Sequence, residues 1–219
     1  MKDNKKQIMI STMLFLSFVI FTILVKTIDV KPIGPNSTSV GFSTLNGFML
    51  NKIGVNMIFY QITQVLGLIP ILMAALYGIK GIIQLVKRKS LFKVDSEIII
   101  LGIFYAITII IYLFFEKFIV NYRPVLMDGK LEASYPSSHT MISIFISLSA
   151  IIVNRYLIKN SNINKKINIF ILIVMFLIVI GRTISGVHWF SDILGGLLIS
   201  AFLVKSFDTL LRIKKECTK

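Results

Sequence analysis

The sequence predicts an all-α membrane protein with about six transmembrane helices, and three observations predict it. Of the 219 residues, 55% are hydrophobic and only 16% are charged, where soluble domains carry about 25% charge. Mean hydropathy is +0.82. The apolar residues also gather into long runs free of Lys, Arg, Asp and Glu, and a helix needs about 20 such residues to cross a bilayer.

In chain order the runs are 8–25, 53–79, 98–115, 133–154 and 167–181. A sixth, 193–204, approaches crossing length once Asp192 and residues 189–191 are counted with it. None shows an obvious polar stripe, as expected of helices that are apolar all round. Such runs are also found as core helices of soluble proteins, but five or six of them in this length would leave too little polar surface to cover them. The first run follows Lys2, Lys5 and Lys6, as a signal peptide's apolar region would. It is longer than the usual ~7–15 residues of that region, and the first alanine is Ala74, so a small-residue cleavage site is missing. A retained first span is expected. With no internal repeat or low-complexity linker, residues 1–219 are expected to form one transmembrane domain.

Charge predicts the orientation. With six spans, one side of the membrane receives Lys2, Lys5 and Lys6, residues 80–93, residues 155–166, and a tail that includes Lys205, Arg212, Lys214, Lys215 and Lys219. These hold 17 of the 24 Lys and Arg. The positive-inside rule puts that side, and both termini, in the cytoplasm. The net charge of +14 is thereby explained by the membrane surface. No basic groove or aromatic platform accompanies it, so nucleic acid is not expected as a partner. The single Cys217 excludes an intramolecular disulfide, and no Cys/His cluster suggests zinc.

Two sizeable loops fall on the outward side. Residues 27–52 hold the turn formers Pro32, Gly34 and Pro35 and no recognisable chemistry. The other outward segments differ. The third span ends near Lys117 and is followed by Asn121-Tyr122-Arg123-Pro124; the fourth opens with Tyr135-Pro136-Ser137-Ser138-His139. The fifth ends at Gly181-Arg182, and the sixth is approached through His188 and Asp192. Topology therefore brings Arg123, His139, Arg182, His188 and Asp192 to one face of the membrane, and the chain's only two histidines are among them.

These residue types suit phosphoryl transfer. Arginine's planar fork of donors matches phosphate oxygens. Pro136 before Ser137-Ser138 suits a helix start, where free amides and the dipole favour an anion. His188 and Asp192 are four apart, so on a helix the carboxylate would reach the imidazole, fix its tautomer and stabilise its cation. His139 would then serve as general acid. Each residue alone has a structural reading. An arginine at a span end snorkels to the headgroups, a serine caps a helix, and an aspartate complements a helix N-terminus. Their convergence on one face is what points to a site.

Here the sequence resembles the type 2 phosphatidic acid phosphatases, lipid phosphatases that share a core with vanadium haloperoxidases. Their signature is K-x6-R-P, P-S-G-H and S-R-x5-H-x3-D. This chain reads Arg123-Pro124, then Pro136-Ser137-Ser138-His139, then Gly181-Arg182, five residues, His188, three residues and Asp192. The motifs fall within residues 116–196. Three positions depart from the signature. Lys117 stands one residue nearer Arg123 than the family's lysine, whose position holds Glu116. Gly181 stands for the serine, and Ser138 for the glycine.

The resemblance implies that His188 is the nucleophile that becomes a phosphohistidine, that Asp192 orients it, and that His139 protonates the leaving group. It implies phosphate binding by Arg123, Arg182 and Lys117, helped by amides near Ser137 and Ser138. No metal or other cofactor is implied. The substrate would be a lipid phosphate or pyrophosphate in the cell membrane, with the site facing outward. Undecaprenyl pyrophosphate, phosphatidic acid and phosphatidylglycerol phosphate are all compatible, and residues 125–134, with Lys130 and Glu132, are a candidate headgroup selector. A non-catalytic lipid-binding or transport protein on the same fold, and a phosphotransferase to an acceptor other than water, are the alternatives.

Overall fold

Each apolar run folds as a helix, and the helices continue past the runs into polar flanks. The structure, a computed structural model, describes residues 2–217; Lys219, counted above with the basic tail, lies outside them. The helices are α1 (Lys2–Thr27), α2 (Ser43–Ile53), α3 (Met57–Arg88), α4 (Ser96–Lys117), α5 (Ser138–Leu157), α6 (Ser161–Ile184) and α7 (Phe190–Glu216). All but α2 are long and apolar enough to cross a membrane. The protein is an all-helical, multi-pass membrane protein. The start of α1 and the end of α7 lie at the same end of the bundle, where Asn4 Nδ2 donates to Glu216 Oε2 at 2.7 Å.

Helix boundaries follow local chemistry. Asn56 caps α3, its Oδ1 accepting from Ile58 N at 3.0 Å and Phe59 N at 3.2 Å, and Asn160 caps α6 in the same way. The fourth run begins at 133, yet α5 starts only at Ser138, because a residue before proline is pushed out of the helical region and Pro136 stands just ahead.

α5 lies at the centre of the bundle although it is among the less hydropathic spans. Most of its apolar window is buried by protein, whereas most of the α1 and α3 windows is not. Its serines explain this: Ser143, Ser147 and Ser149 are buried, and small side chains let neighbouring backbones approach. The core between α4, α5 and α7 is aromatic. Phe207 meets Phe104 at 5.7 Å and Phe145 at 6.4 Å, both edge-on. Outward, Met13, Ile20, Val65, Leu72, Leu76 and Ile110 are exposed, a surface that hydrocarbon would cover.

The first loop corrects an expectation. Residues 27–52 contain most of a helix, α2, as well as turns, and its buried side is made by Ser43 and Asn46. Asn46 on α2 is fully buried. Its Nδ2 donates to Gly41 O at 2.7 Å and to Ser191 Oγ at 2.9 Å, and its Oδ1 accepts from Ser191 N at 3.0 Å. The loop thus holds the first turn of α7.

Candidate active site

Four segments build the site: α3, the hairpin-like loop between α4 and α5, the start of α5, and the stretch from the last turn of α6 through the first turn of α7. The loop turns at Asp128-Gly129, with φ of 48° and 74°. Positive φ at both central residues is the type I′ geometry that Asp-Gly favours. Met127 pairs with Lys130 across this turn, and Tyr122 with Ala133 farther out. Arg123 N donates to Glu132 O at 3.0 Å, and Ser134 N to Asn121 O at 2.9 Å. Asn121 and Ser134 therefore stand side by side. Trp189 Nε1 donates to Tyr122 O at 2.7 Å and ties this loop to the start of α7.

Asp192, on the first turn of α7, is fully buried and receives three side-directed bonds. Asn121 Nδ2 donates to Oδ1 at 3.1 Å; Ser134 Oγ at 2.5 Å and Trp189 N at 2.9 Å donate to Oδ2. His188 lies before α7, since the helix begins at Phe190. The premise that both share a helix face is therefore corrected: an aspartate on the first turn caps the helix it opens, and here its carboxylate is drawn to Trp189 N. The hydrogen bonds of His188 Nδ1 go to Ser134, at 3.0 Å to Oγ and 3.1 Å to the carbonyl.

The link that carries His188 is held by backbone fit. Asn56 N donates to Ser185 O at 2.9 Å. Gly186 has φ of 64°, and a Cβ there would sit 2.0 Å from Gly54 O. His188 itself is buried and its pKa is held well below 6.5, first by burial, then by the charges of Arg123 and Arg182, then by His139. It is a neutral imidazole. With Nδ1 engaged, Nε2 remains buried and without a hydrogen-bond partner among the described residues.

The two arginines are anchored differently. Glu132 Oε2 lies 3.1 Å from Arg123 Nε, an ion pair without hydrogen-bond alignment. Arg182 is fully buried; its Nη2 donates to Gln64, and its guanidinium lies 4.8 Å from the Tyr60 ring centre. Both keep Nε and Nη1 unsatisfied by hydrogen bonds. Four buried N–H-bearing atoms within electrostatic reach of His188 make a place where an oxyanion would be satisfied.

The other predicted site residues differ from one another. His139 lies in the first turn of α5 with Nδ1 unpartnered, and Gly67 of α3 leaves room for its ring: a Cβ there would come to 3.3 Å from Cδ2. Ser138 and His139 line a cavity of about 500 Å³ with Gln64, Leu68, Tyr112 and Ile142. Ser137 is fully buried and already engaged, its amide donating to Asp192 O at 3.0 Å and its Oγ accepting from Thr140. That amide is not open to a ligand, unlike those of the first helical turn beyond it. Lys117 is exposed at the end of α4, while Glu116 lines a narrow crevice with Ser134, Ser138 and His188. At Gly181 a Cβ would fall 2.4 Å from Thr63 Cγ2, so α3 fills the place of the family's serine. Ser134, Asn121, Gln64 and Tyr60 were not picked out from sequence, because their partners lie up to 118 positions away.

Fold and site together define a multi-pass helical membrane protein whose two histidines and two anchored arginines meet around the start of one helix. The PAP2 superfamily model matches residues 97–210, more than half of the chain and all of the motif residues. The chain belongs to the PAP2 superfamily. Its fold is similar to the crystal structure of the first transmembrane PAP2-type phosphatidylglycerolphosphate phosphatase from Bacillus subtilis. The TM-score is 0.63 at 19% identity, over 95% of this chain and 97% of that one. No curated protein matches the chain in sequence.

Proposed function

We propose that this protein hydrolyses a phosphate or pyrophosphate monoester on a membrane lipid through a phosphohistidine. The observation that carries the reading is the unpartnered Nε2 of His188, neutral and buried, within electrostatic reach of Arg123 and Arg182, whose N–H groups are unsatisfied. The arginines would hold the phosphate oxygens, with first-turn amides at Ser138 assisting. His188 Nε2 would attack phosphorus as the bond to the lipid oxygen breaks, and His139 would protonate that oxygen. Water, deprotonated by His139, would then displace the phosphate from Nε2. Charge stabilisation by the guanidinium groups and amides supports a metal-independent reaction. The apolar cavity beside His139 suits a leaving group that stays in the bilayer.

Phosphatidylglycerol phosphate, on which the Bacillus subtilis protein's name says it acts, is one candidate, with phosphatidic acid and undecaprenyl pyrophosphate. The charge bias of the loops supports an outward-facing site in the cell membrane. The test is phosphate release from these lipids by purified protein in detergent, with and without chelator. Release from at least one lipid, insensitive to chelator and lost in His188→Ala, is expected. Equal release by wild type and His188→Ala would refute the reading and favour a non-catalytic protein. Label passing to an acceptor other than water would mark a phosphotransferase.

A further inference from the structure

Ser134 belongs to no part of the signature by which the motif residues were found, yet it stands between the two residues that the signature pairs. It is buried. Its Oγ lies 2.5 Å from Asp192 Oδ2 and 3.0 Å from His188 Nδ1, and its carbonyl lies 3.1 Å from the same Nδ1. A hydroxyl has one proton to donate, and an ionised carboxylate only accepts. The Oγ proton must therefore go to Asp192, which leaves Oγ with lone pairs alone toward the imidazole. The Ser134 carbonyl likewise only accepts. Both groups facing Nδ1 are acceptors, so Nδ1 carries the ring proton and Nε2 the lone pair.

We infer that Ser134 is the positioning residue through which Asp192 acts on His188: it fixes the nucleophilic tautomer and passes the carboxylate's charge to the ring. This rests on the phosphohistidine reading above. When Nε2 forms the bond to phosphorus and the lipid oxygen leaves with the proton of His139, the ring becomes a cation that still holds its Nδ1 proton. That proton stays on the ring, shared with Ser134 O and Oγ, while donation of the Oγ proton to Asp192 polarises the hydroxyl and makes its oxygen a stronger acceptor toward the cation. No proton crosses to Asp192. The hairpin positions the hydroxyl, because Ser134 N is bonded to Asn121 O and the Asn121 side chain holds the other carboxylate oxygen.

The test compares wild type, Ser134→Ala, Ser134→Cys, Ser134→Thr, Asp192→Asn and the double variant Ser134→Ala/Asp192→Asn, each in the lipid assay, with His188→Ala as the reference for a dead site. Ser134→Ala is expected to lower kcat roughly 10- to 100-fold with KM little changed, as is usual for groups that orient a reacting ligand. The near-isosteric Ser134→Cys, whose thiol is a weak donor, should show most of that loss without disturbing the fold. Ser134→Thr should recover activity. The double variant should be no slower than Asp192→Asn alone, because both changes cut one connection. Rapid quenching should show slower formation of the phosphohistidine in Ser134→Ala. Wild-type kcat in Ser134→Ala or Ser134→Cys, where His188→Ala is inactive, overturns the role of Ser134 and leaves the phosphatase reading intact. Losses that multiply in the double variant overturn it also. Activity that survives in His188→Ala overturns the phosphatase reading itself.

Discussion

Gly181 offers a test in which a substitution changes sign with its background. In α6 an alanine is favoured over glycine by ~1 kcal/mol from helix propensity. At this position, however, the new Cβ would lie 2.4 Å from Thr63 Cγ2, a contact side chains essentially never make, while the next atom, Thr63 Cβ, is at a comfortable 3.9 Å. Thr63 is buried, and its hydroxyl is tied to Phe59 O at 2.9 Å and Tyr60 O at 2.8 Å, so it cannot swing away. Overpacking of this kind costs ~1–3 kcal/mol, and Gly181→Ala alone is expected to be neutral to destabilising by up to ~2 kcal/mol. Thr63→Ser removes only the offending methyl and keeps the hydroxyl. In that background Gly181→Ala should stabilise by about 1 kcal/mol. Thermal unfolding of the four proteins in one detergent measures the cycle. A coupling within about 0.5 kcal/mol of zero would refute the idea that Thr63 fills this space. The functional corollary is that Gly181→Ser, which restores the family's hydroxyl beside Arg182, requires Thr63→Ser to be tolerated.

Three further outcomes follow from the site. Gly186→Ala should lower activity by roughly 100-fold, because strain at φ of 64° and a Cβ 2.0 Å from Gly54 O displace the link that carries His188, and shifts of about 1 Å at reacting atoms cost that much; wild-type kcat would refute it. Asn46→Ala should destabilise by ~2–4 kcal/mol by leaving buried groups at Ser191 and Gly41 unpaired, read as a lower unfolding temperature, and an unchanged temperature would contradict the anchoring role of α2. For pH, His188 is neutral in the folded protein and its pKa lies below the unfolded value of 6.5. Unfolding therefore takes up a proton below that pH. This contribution to stability is present above about pH 6.5 and is lost as pH falls, by up to ~1.4 kcal/mol per pH unit. His188→Gln should flatten the acid limb of an unfolding-temperature profile, and an unchanged limb would show that His188 contributes no such linkage.

The fold and the motif residues were largely legible in the sequence, and the support around the motif was not. Long runs without charge report a helix in a bilayer locally, because every backbone group must be satisfied within its own segment. Six spans and the meeting of Arg123, Arg182, His139 and His188 around the start of α7 follow from counting and topology. The burial of Ser137 and the exposure of Lys117 did not follow, since a helix's first and last turns can face several ways, and one residue of rotation decides which side chain meets the site. Nor did the role of residues 27–52 follow, because Asn46 acts on Ser191, 145 positions away.

By itself, then, the sequence determined the class of protein, its spans and the two histidines, since each depends on composition, periodicity or a short spacing. Tertiary structure alone decided how Asp192 reaches His188. The Asp128-Gly129 turn is readable, but the outer pairing is offset from it: between the Met127–Lys130 and Tyr122–Ala133 pairs, residues 123–126 face only residues 131–132. That irregular stretch, which contains Pro124, sets which residue stands opposite Asn121. It is Ser134, and the tautomer proposed for His188 follows from it.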